Sequence, residues 1–166
     1  MNTEPSPTAN CLPAELVARA AFLLGRIGLS VKEETMERFE QAGFSAYQYG
    51  ILALLEEGSR VSQTTIADAL AFDKSMLVGL LDQLEEKGLI ERRRDPNDRR
   101  RQMVSLTPAG KHQLEAFRGF VRDIEDEFLA PLDEDERAQL QQLLLRIACH
   151  RDSRFVVPVA TVTSSA

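Results

Sequence analysis

Residues 80–110 read LLDQLEEKGLIERRRDPNDRRRQMVSLTPAG, and the elements that they predict are the strongest indication of the fold class. It opens with leucines at helical spacing, and the lysine and glycine at positions 87–88 are typical of a helix C-terminus. The runs LIERRR and RQMVSL flank the turn-forming residues 95–98 and predict a β-hairpin. Thr107 before Pro108 predicts the N-terminus of another helix. A helix, a hairpin and a second helix are therefore expected in direct succession.

The predicted hairpin concentrates positive charge in an acidic chain. The 166 residues have a formal net charge of −6 and a sequence pI near 5.0, whereas residues 92–101 hold six arginines against Asp95 and Asp98. Because local potential, rather than net charge, steers a polyanion to a surface, this run predicts contact with nucleic acid. An arginine run can also be an ordinary solvated surface, but its position in a hairpin after a capped helix favours nucleic acid.

The residues upstream predict first a long helix and then a shorter one. Residues 13–41 are expected to form one long helix, because apolar side chains recur there at helical spacing and Ala42–Gly43 follows as a stop. Ser45 and Gln48 have the spacing of a capping box, in which each side chain satisfies a backbone N–H at the other position. They predict a helix over residues 46–56.

Two capped helices are predicted between that helix and the hairpin. Ser62 can cap a helix over residues 63–70, and Asp73 can cap another over residues 74–87, whose leucines form one apolar stripe. Helices followed by a basic hairpin give the order of a winged helix-turn-helix. The predicted fold class is mainly α with a small β-hairpin wing.

Two further helices are predicted after the hairpin. The helix that begins at Thr107 carries apolar residues at helical spacing as far as Pro131. Asp133 with Glu136 has the form of a second capping box, and the helix that it starts is expected to reach about His150. Both chain ends, residues 1–11 and 153–166, lack helical periodicity and are expected to be flexible.

Residues 80–110 closely resemble the MarR (multiple antibiotic resistance regulator) family, whose signature is a helix ending in LEEKGLI followed by DPxDRR and LTPAG. The order of predicted elements is similar to that family as well. The resemblance implies a winged helix-turn-helix lobe over residues 45–106. It also implies an intertwined homodimer whose dimerisation helices lie within residues 12–42 and 107–151.

Apolar stripes at both ends of the predicted helical region are the candidate dimerisation surface. Such stripes often line an intramolecular bundle, but the length of the chain and the family resemblance favour a dimer. The residues expected in the dimer contact are Leu16, Leu23, Leu140, Leu144 and Ile147.

The expected DNA-binding surface combines the helix predicted over residues 74–87, which is the candidate recognition helix, with the start of the preceding helix and the hairpin. A helix N-terminus can enter the major groove while the hairpin follows the backbone. The candidate residues are Ser62, Gln63, Thr64, Lys74, Ser75, Met76, Val78, Arg92, Asp98, Arg99, Arg100 and Arg101. The resemblance implies that Asp98 directs the Arg100 guanidinium into the minor groove, while Arg99 and Arg101 contact phosphates.

The recognition helix departs from the family at Val78 and Gly79, where many relatives carry a polar residue and an arginine. A glycine inside a helix costs about 1 kcal/mol relative to alanine, which suggests close approach to another surface. Specificity is therefore expected to depend on Met76, against thymine methyl groups, and on the hairpin.

Neither cysteine is expected to carry chemistry. Cys11 and Cys149 lie at opposite ends of the chain without metal-ligand spacing, so no disulfide, metal or other cofactor is expected. One branch of the family senses oxidants through a cysteine in the first helix, whereas Cys11 precedes that helix. A redox-sensing regulator stays an alternative, and Cys149 is expected to be buried.

A small aromatic or phenolic ligand is implied by the family resemblance. Tyr47 and Tyr49 are weak candidates for binding it, and packing in the core is the favoured interpretation for both. The chain shows no glycine-rich phosphate loop, nucleophile elbow or zinc motif, so an enzyme is not expected. It also has no long apolar run, which predicts a cytoplasmic protein with no membrane partner.

The sequence therefore predicts a sequence-specific regulator of transcription that binds double-stranded DNA. It is expected to be a repressor that a small ligand releases from a pseudo-palindromic operator. The alternative from another class is a winged-helix protein-interaction module that uses the basic hairpin on an acidic partner.

Overall fold

The structure, a computed structural model, describes residues 11–58, 61–98 and 100–155. Its elements are α1 (Ala14–Val17), α2 (Ala20–Gln41), α3 (Ala46–Gly58), β1 (Val61–Ser62), α4 (Gln63–Leu70), α5 (Lys74–Glu86), β2 (Ile90–Arg94), β3 (Gln102–Leu106), α6 (Pro108–Phe128) and α7 (Glu134–Arg151). The predicted fold class, mainly helical with a small hairpin, is confirmed. The residues divide into two compact units between Ala46 and Tyr47.

The first unit corrects the prediction of a single long helix. α1 ends at Val17, and in the tighter turn that follows the Arg19 N–H donates to the Leu16 carbonyl, 3.0 Å away and three residues back. Arg19 itself has extended backbone with φ −101° and ψ 111°. The residues around this break are mostly strong helix formers, and their apolar side chains keep helical spacing. Neither signal reveals that the backbone of one residue leaves the helical region. The predicted end at Gln41 is confirmed, and Gly43 beyond it has a φ of +75°.

Four helices of the second unit, α4 to α7, begin at the caps that the sequence predicts. In each case a side-chain oxygen accepts from a backbone N–H in the first turn, which satisfies a donor that the helix leaves unpaired. The capping residues are Ser62, Asp73, Thr107 and Asp133, and the last of these forms a reciprocal capping box with Glu136.

The sheet has three strands where the sequence predicts two. β3 lies in the middle, with β2 antiparallel on one side and β1 antiparallel on the other. In β1, Val61 pairs with Val104, and in β2 the register runs from Ile90 opposite Leu106 to Arg94 opposite Gln102. A strand of two residues is too short to show alternation, so β1 could not be recognised in the sequence.

A single apolar core holds α3, α4, α5, the sheet and α6 of the second unit together. Its fully buried side chains include Ile51, Leu52, Leu55, Ile66, Leu81, Leu84, Val104 and Leu114. Burial of one such side chain stabilises the fold by about 1.5–3 kcal/mol. The exposed side of α5 and the hairpin are therefore presented on a packed scaffold.

The end of α5 and the start of α6 are locked together at the base of the hairpin. The Thr107 N–H donates to the Leu89 carbonyl at 3.1 Å, and the Thr107 hydroxyl donates to the Gly88 carbonyl at 2.7 Å. A Cβ atom at Gly110 would collide with the Leu89 carbonyl oxygen, so the last glycine of the LTPAG motif is required by this close approach. We call Leu89, Thr107 and Gly110 the hairpin corner.

The structure corrects the prediction for Cys149. This residue on α7 is half-exposed rather than buried, and its Sγ donates to the Phe155 carbonyl at 2.9 Å. No residue of α7 is buried in the described chain, so a position on this helix is not covered by the core. Cys11 is exposed and precedes α1, as predicted.

Candidate nucleic-acid interface

α5 has one buried and one exposed side. Its leucines, Leu77, Leu80, Leu81 and Leu84, point into the core. On the other side Met76 is 38% exposed and Val78 is 46% exposed, and a Cβ at Gly79 would meet no atom within 4 Å. The close approach that Gly79 suggests is therefore not made inside the described chain. Lys74 and Ser75, in the first turn, are also exposed.

Asp73 fixes the start of α5. Its carboxylate accepts from the backbone N–H groups of Ser75 and Met76 at 2.9 and 3.3 Å, and also from the Ser75 hydroxyl. These hydrogen bonds, that of the Ser75 hydroxyl first, hold the pKa of Asp73 below its ordinary value. Ser75 is a predicted DNA contact, but its hydroxyl already donates its proton to Asp73 within the helix cap.

The start of α4 offers a smaller polar surface than the sequence predicts. The Ser62 hydroxyl accepts from the Thr65 N–H at 3.1 Å and lies 2.8 Å from the Thr65 hydroxyl. Gln63 is half-buried, whereas Thr64 is exposed. Ser62 thus caps the helix, and Thr64 with the first backbone N–H groups is the part of this terminus that a phosphate can reach.

The turn between β2 and β3 is built around Asp98. Its Oδ1 accepts from the backbone N–H of Arg100 at 3.1 Å, and its Oδ2 lies 3.7 Å from the Nε of Arg101. In the described chain Asp98 therefore holds the main chain of Arg100, and the expectation that it directs the Arg100 guanidinium into DNA stays a prediction. Arg100 is exposed. Arg99 lies outside the described residues.

Arg92, a predicted DNA contact, makes ion pairs within the chain. Its guanidinium forms ion pairs with Asp82, at 2.7 Å, and with Glu85, both on α5. Its side chain is only 20% exposed. The hydrogen bond to Glu85, the largest cause, raises the pKa of Arg92, and Arg92 in turn lowers the pKa of Glu85. The charge of Arg92 is compensated within the chain, and the residue fastens the hairpin to the recognition helix.

Arg94 is a further candidate DNA contact that was not predicted from the sequence. Side chains alternate along a strand, so Arg94 lies on the same face of β2 as Arg92, two residues nearer the tip. Arg93, on the other face, pairs with Glu91 at 2.9 Å. Arg94 is exposed, and no ion pair to it is found among the described residues. The alternation of β2 could have separated these arginines before the structure was known.

Both candidate ligand-binding tyrosines make aromatic contacts. The Tyr47 ring lies edge-on to Phe72, with ring centroids 5.4 Å apart, and the Tyr49 ring lies edge-on to Phe117 at 6.3 Å. Both tyrosines are half-buried. These contacts connect α3 with the turn before α5 and with α6.

Two other kinds of site were sought in the described part of the chain. No group of three or more histidine, cysteine or acidic residues lies in an arrangement that could hold a metal ion there. Among the helices described, none combines the length and the apolar character needed to cross a membrane.

Comparison with known proteins agrees with this architecture. A sequence model of the MarR family matches residues 38–101. A protein of Thauera aromatica, assigned as a transcriptional regulatory protein for the hcr operon, is 33% identical over 147 residues, which are 84% of this chain and 87% of that protein. The curated relatives of this chain include further regulators of transcription, which are DNA-binding proteins and not enzymes.

Solved structures show the same similarity. Wild-type MarR from E. coli superposes with a TM-score of 0.69 at 26% identity, over 78% of this chain and 96% of that one. A MarR variant from E. coli in complex with operator DNA gives a TM-score of 0.63 at 28% identity, over 75% of this chain and 93% of that one. The chain described here belongs to the MarR family of transcriptional regulators.

Proposed function

We propose that this protein is a homodimeric repressor that binds a pseudo-palindromic operator through α5 and the hairpin of each subunit. The observation that carries the proposal is the distribution of charge on the hairpin. Arg92 and Arg93 are paired with carboxylates along β2, whereas Arg94, at the end of β2, and Arg100, in the turn, have no ion-pair partner among the described residues. The positive charge without an ion-pair partner is thus concentrated toward the turn of the hairpin. The similar E. coli MarR variant was solved in complex with operator DNA, which supports DNA as the partner of this protein.

The dimer is proposed from exposed apolar side chains at both ends of the chain. Neither α1 nor α7 has a buried residue in the described chain. The proposed contact includes Leu16, Leu23, Leu144 and Ile147, which are 39%, 38%, 39% and 50% exposed, and the half-buried Leu140. A second copy would cover these side chains and place two recognition helices about one DNA turn, roughly 34 Å, apart.

Release from the operator is proposed to follow binding of a small aromatic or phenolic ligand. The class of ligand rests on the family resemblance, and Tyr47 and Tyr49 are its candidate contacts. A ligand that alters the spacing of the two α5 helices would lower the affinity for DNA without touching DNA. Such a ligand must bind the dimer with one spacing of the α5 helices more tightly than the dimer with the other spacing.

Selection from a pool of random duplexes, followed by footprinting on the region upstream of the protein's own coding sequence, tests this proposal. A palindromic site with half-sites one turn apart is the expected result. The affinity should also fall steeply with salt. If Arg99, Arg100 and Arg101 of both subunits neutralise six phosphates, the log–log salt slope is about −5. A flat slope and no selected sequence would instead favour the protein-interaction module.

A further inference from the structure

A buried amide links α3 to the recognition helix. Gln48 is 1% exposed and is the one buried polar side chain among the described residues. Its Nε2 donates to the Oε1 of Gln83 on α5 at a distance of 2.9 Å. The neighbouring core residues on α3, among them Ile51 and Leu52, are apolar and fully buried. The contact is therefore a directional bond at the edge of an otherwise apolar interface.

The Gln48 side chain starts from a well-held part of α3. The residues on either side of it, Tyr47 and Tyr49, make the edge-on ring contacts with Phe72 and Phe117. Such aromatic pairs have preferred geometries. The backbone that carries the amide is therefore fixed on both sides, and the position of Gln83 is set relative to it.

Gln83 and Glu85 lie on nearly opposite flanks of α5. Two residues along a helix turn through about 200°, so these side chains point roughly 160° apart. Gln48 binds the first flank, and Arg92 binds the second. Between them the leucines of α5 pack against the core, and apolar packing is not directional. The two polar contacts are thus placed to resist rotation of α5 about its own axis.

We propose that Gln48 is a positioning residue for DNA recognition, because its bond to Gln83, opposed by that of Arg92 to Glu85, sets the rotation of α5. This inference rests on the proposed function. The rotation decides which side chains of α5 meet base edges, and base contacts specify whereas phosphate contacts only position. A change in rotation of α5 therefore reduces the preference for the operator more than it reduces binding to any duplex.

Substitution by methionine separates this role from simple packing. Gln48→Met nearly conserves volume, and Gln83→Met removes the same bond from the other side. Leu52→Met is the matched control, since it lies on the same helix in the same core without a polar bond. For each variant we would measure the dissociation constant for the selected operator and for a scrambled duplex, together with the thermal unfolding midpoint.

We expect Gln48→Met to weaken operator binding about tenfold, which corresponds to about 1.4 kcal/mol, with the scrambled duplex unaffected. The unfolding midpoint should stay within about 3 °C of the wild type. Gln83→Met and the double variant should show a similar loss, because all three remove the bond between Gln48 and Gln83. Leu52→Met should leave the ratio of the two dissociation constants unchanged.

Three results would overturn the inference. They are an unchanged operator preference in Gln48→Met, an equal loss on both duplexes, and losses that multiply to about a hundredfold in the double variant. If Gln48→Met does not fold, Gln83→Met decides the question, because Gln83 is exposed. A wild type that binds no duplex would overturn the proposed function as well, whereas selective binding that none of the variants alters overturns this inference alone.

Discussion

Arg92 on β2 lies with its Nη2 2.7 Å from the Oδ1 of Asp82 on α5. The same guanidinium pairs with Glu85 one turn later on that helix, and the Arg92 backbone N–H donates to Glu85 at 3.2 Å. One arginine of the basic run therefore pairs with two carboxylates of α5. Its removal tests how firmly the hairpin is fixed to α5.

Arg92→Ala is expected to weaken operator binding without flattening its salt dependence. It removes charge-assisted hydrogen bonds to α5, which contribute about 1.5–3 kcal/mol each before solvent exposure reduces them. Arg100→Ala should instead flatten the log–log salt slope by about 1.8 in a dimer, at about 0.9 per phosphate. Titrations at several salt concentrations distinguish the two effects. If Arg92→Ala changed the salt slope as much as Arg100→Ala does, Arg92 would be shown to contact DNA phosphates.

Asp98→Ala is expected to impair binding less than Arg100→Ala. Asp98 holds the Arg100 backbone N–H and does not itself contact DNA in this proposal. Arg100→Ala should also reduce the preference for A·T-rich flanks by about 1–3 kcal/mol. Asp98→Asn is the control, since it keeps an oxygen that can accept from the N–H and should bind nearly as the wild type does. Gel-shift titration in which Asp98→Asn is as impaired as Arg100→Ala would show that the charge of Asp98 matters.

Leu144→Glu is expected to produce monomers and to weaken operator binding. Leu144 is 39% exposed in the single chain, and a carboxylate there would have to be desolvated in a dimer contact. Gln142→Glu is the matched control, because residue 142 lies on roughly the opposite side of α7. Light scattering at micromolar concentration checks the outcome. A wild type that is already monomeric would refute the dimer directly.

Asp73→Ala is expected to destabilise the fold in a manner that depends on pH. The folded-state pKa of Asp73 is below the ordinary value of 3.8, so its carboxylate stabilises the fold above that pH. The contribution is lost as the pH falls through the lowered folded-state pKa, and the difference from Asp73→Ala should then shrink. Asp73→Asn keeps a capping oxygen and should lose less stability at neutral pH. Thermal unfolding of the wild type and the two variants between neutral pH and the lowered pKa of Asp73 measures the effect. If the wild type and Asp73→Ala differed in stability by the same amount at every pH, the charge of Asp73 would not contribute to the cap.

Local signals in the sequence account for most of the helix boundaries. Ser62, Asp73, Thr107 and Asp133 act within one turn of their own positions, and the structure confirms each as a cap. The hairpin was predictable for the same reason, because its strands and turn are contiguous in the chain. Such features depend on neighbours a few residues away, which a sequence displays directly.

Contacts between elements could not be predicted from these local signals. The pairing of Arg92 with Asp82 depends on how β2 packs against α5, and β1 exists only because Val61 meets Val104. The bond between Gln48 and Gln83 spans 35 residues. The sequence therefore placed the arginines on the hairpin correctly but could not show which of them were already paired.

The hairpin corner limits where this protein can bend. Leu89 ends the turn after α5, and its carbonyl both receives the Thr107 N–H and leaves no room for a side chain at Gly110. The first turn of α6 and the base of the hairpin must consequently travel as one rigid body. Any change in the spacing of two recognition helices is then a lever movement with its pivot farther along α6 or in another segment. Substitutions that weaken the response of DNA binding to a ligand should therefore lie away from the hairpin corner, while substitutions inside the hairpin corner should destabilise the fold.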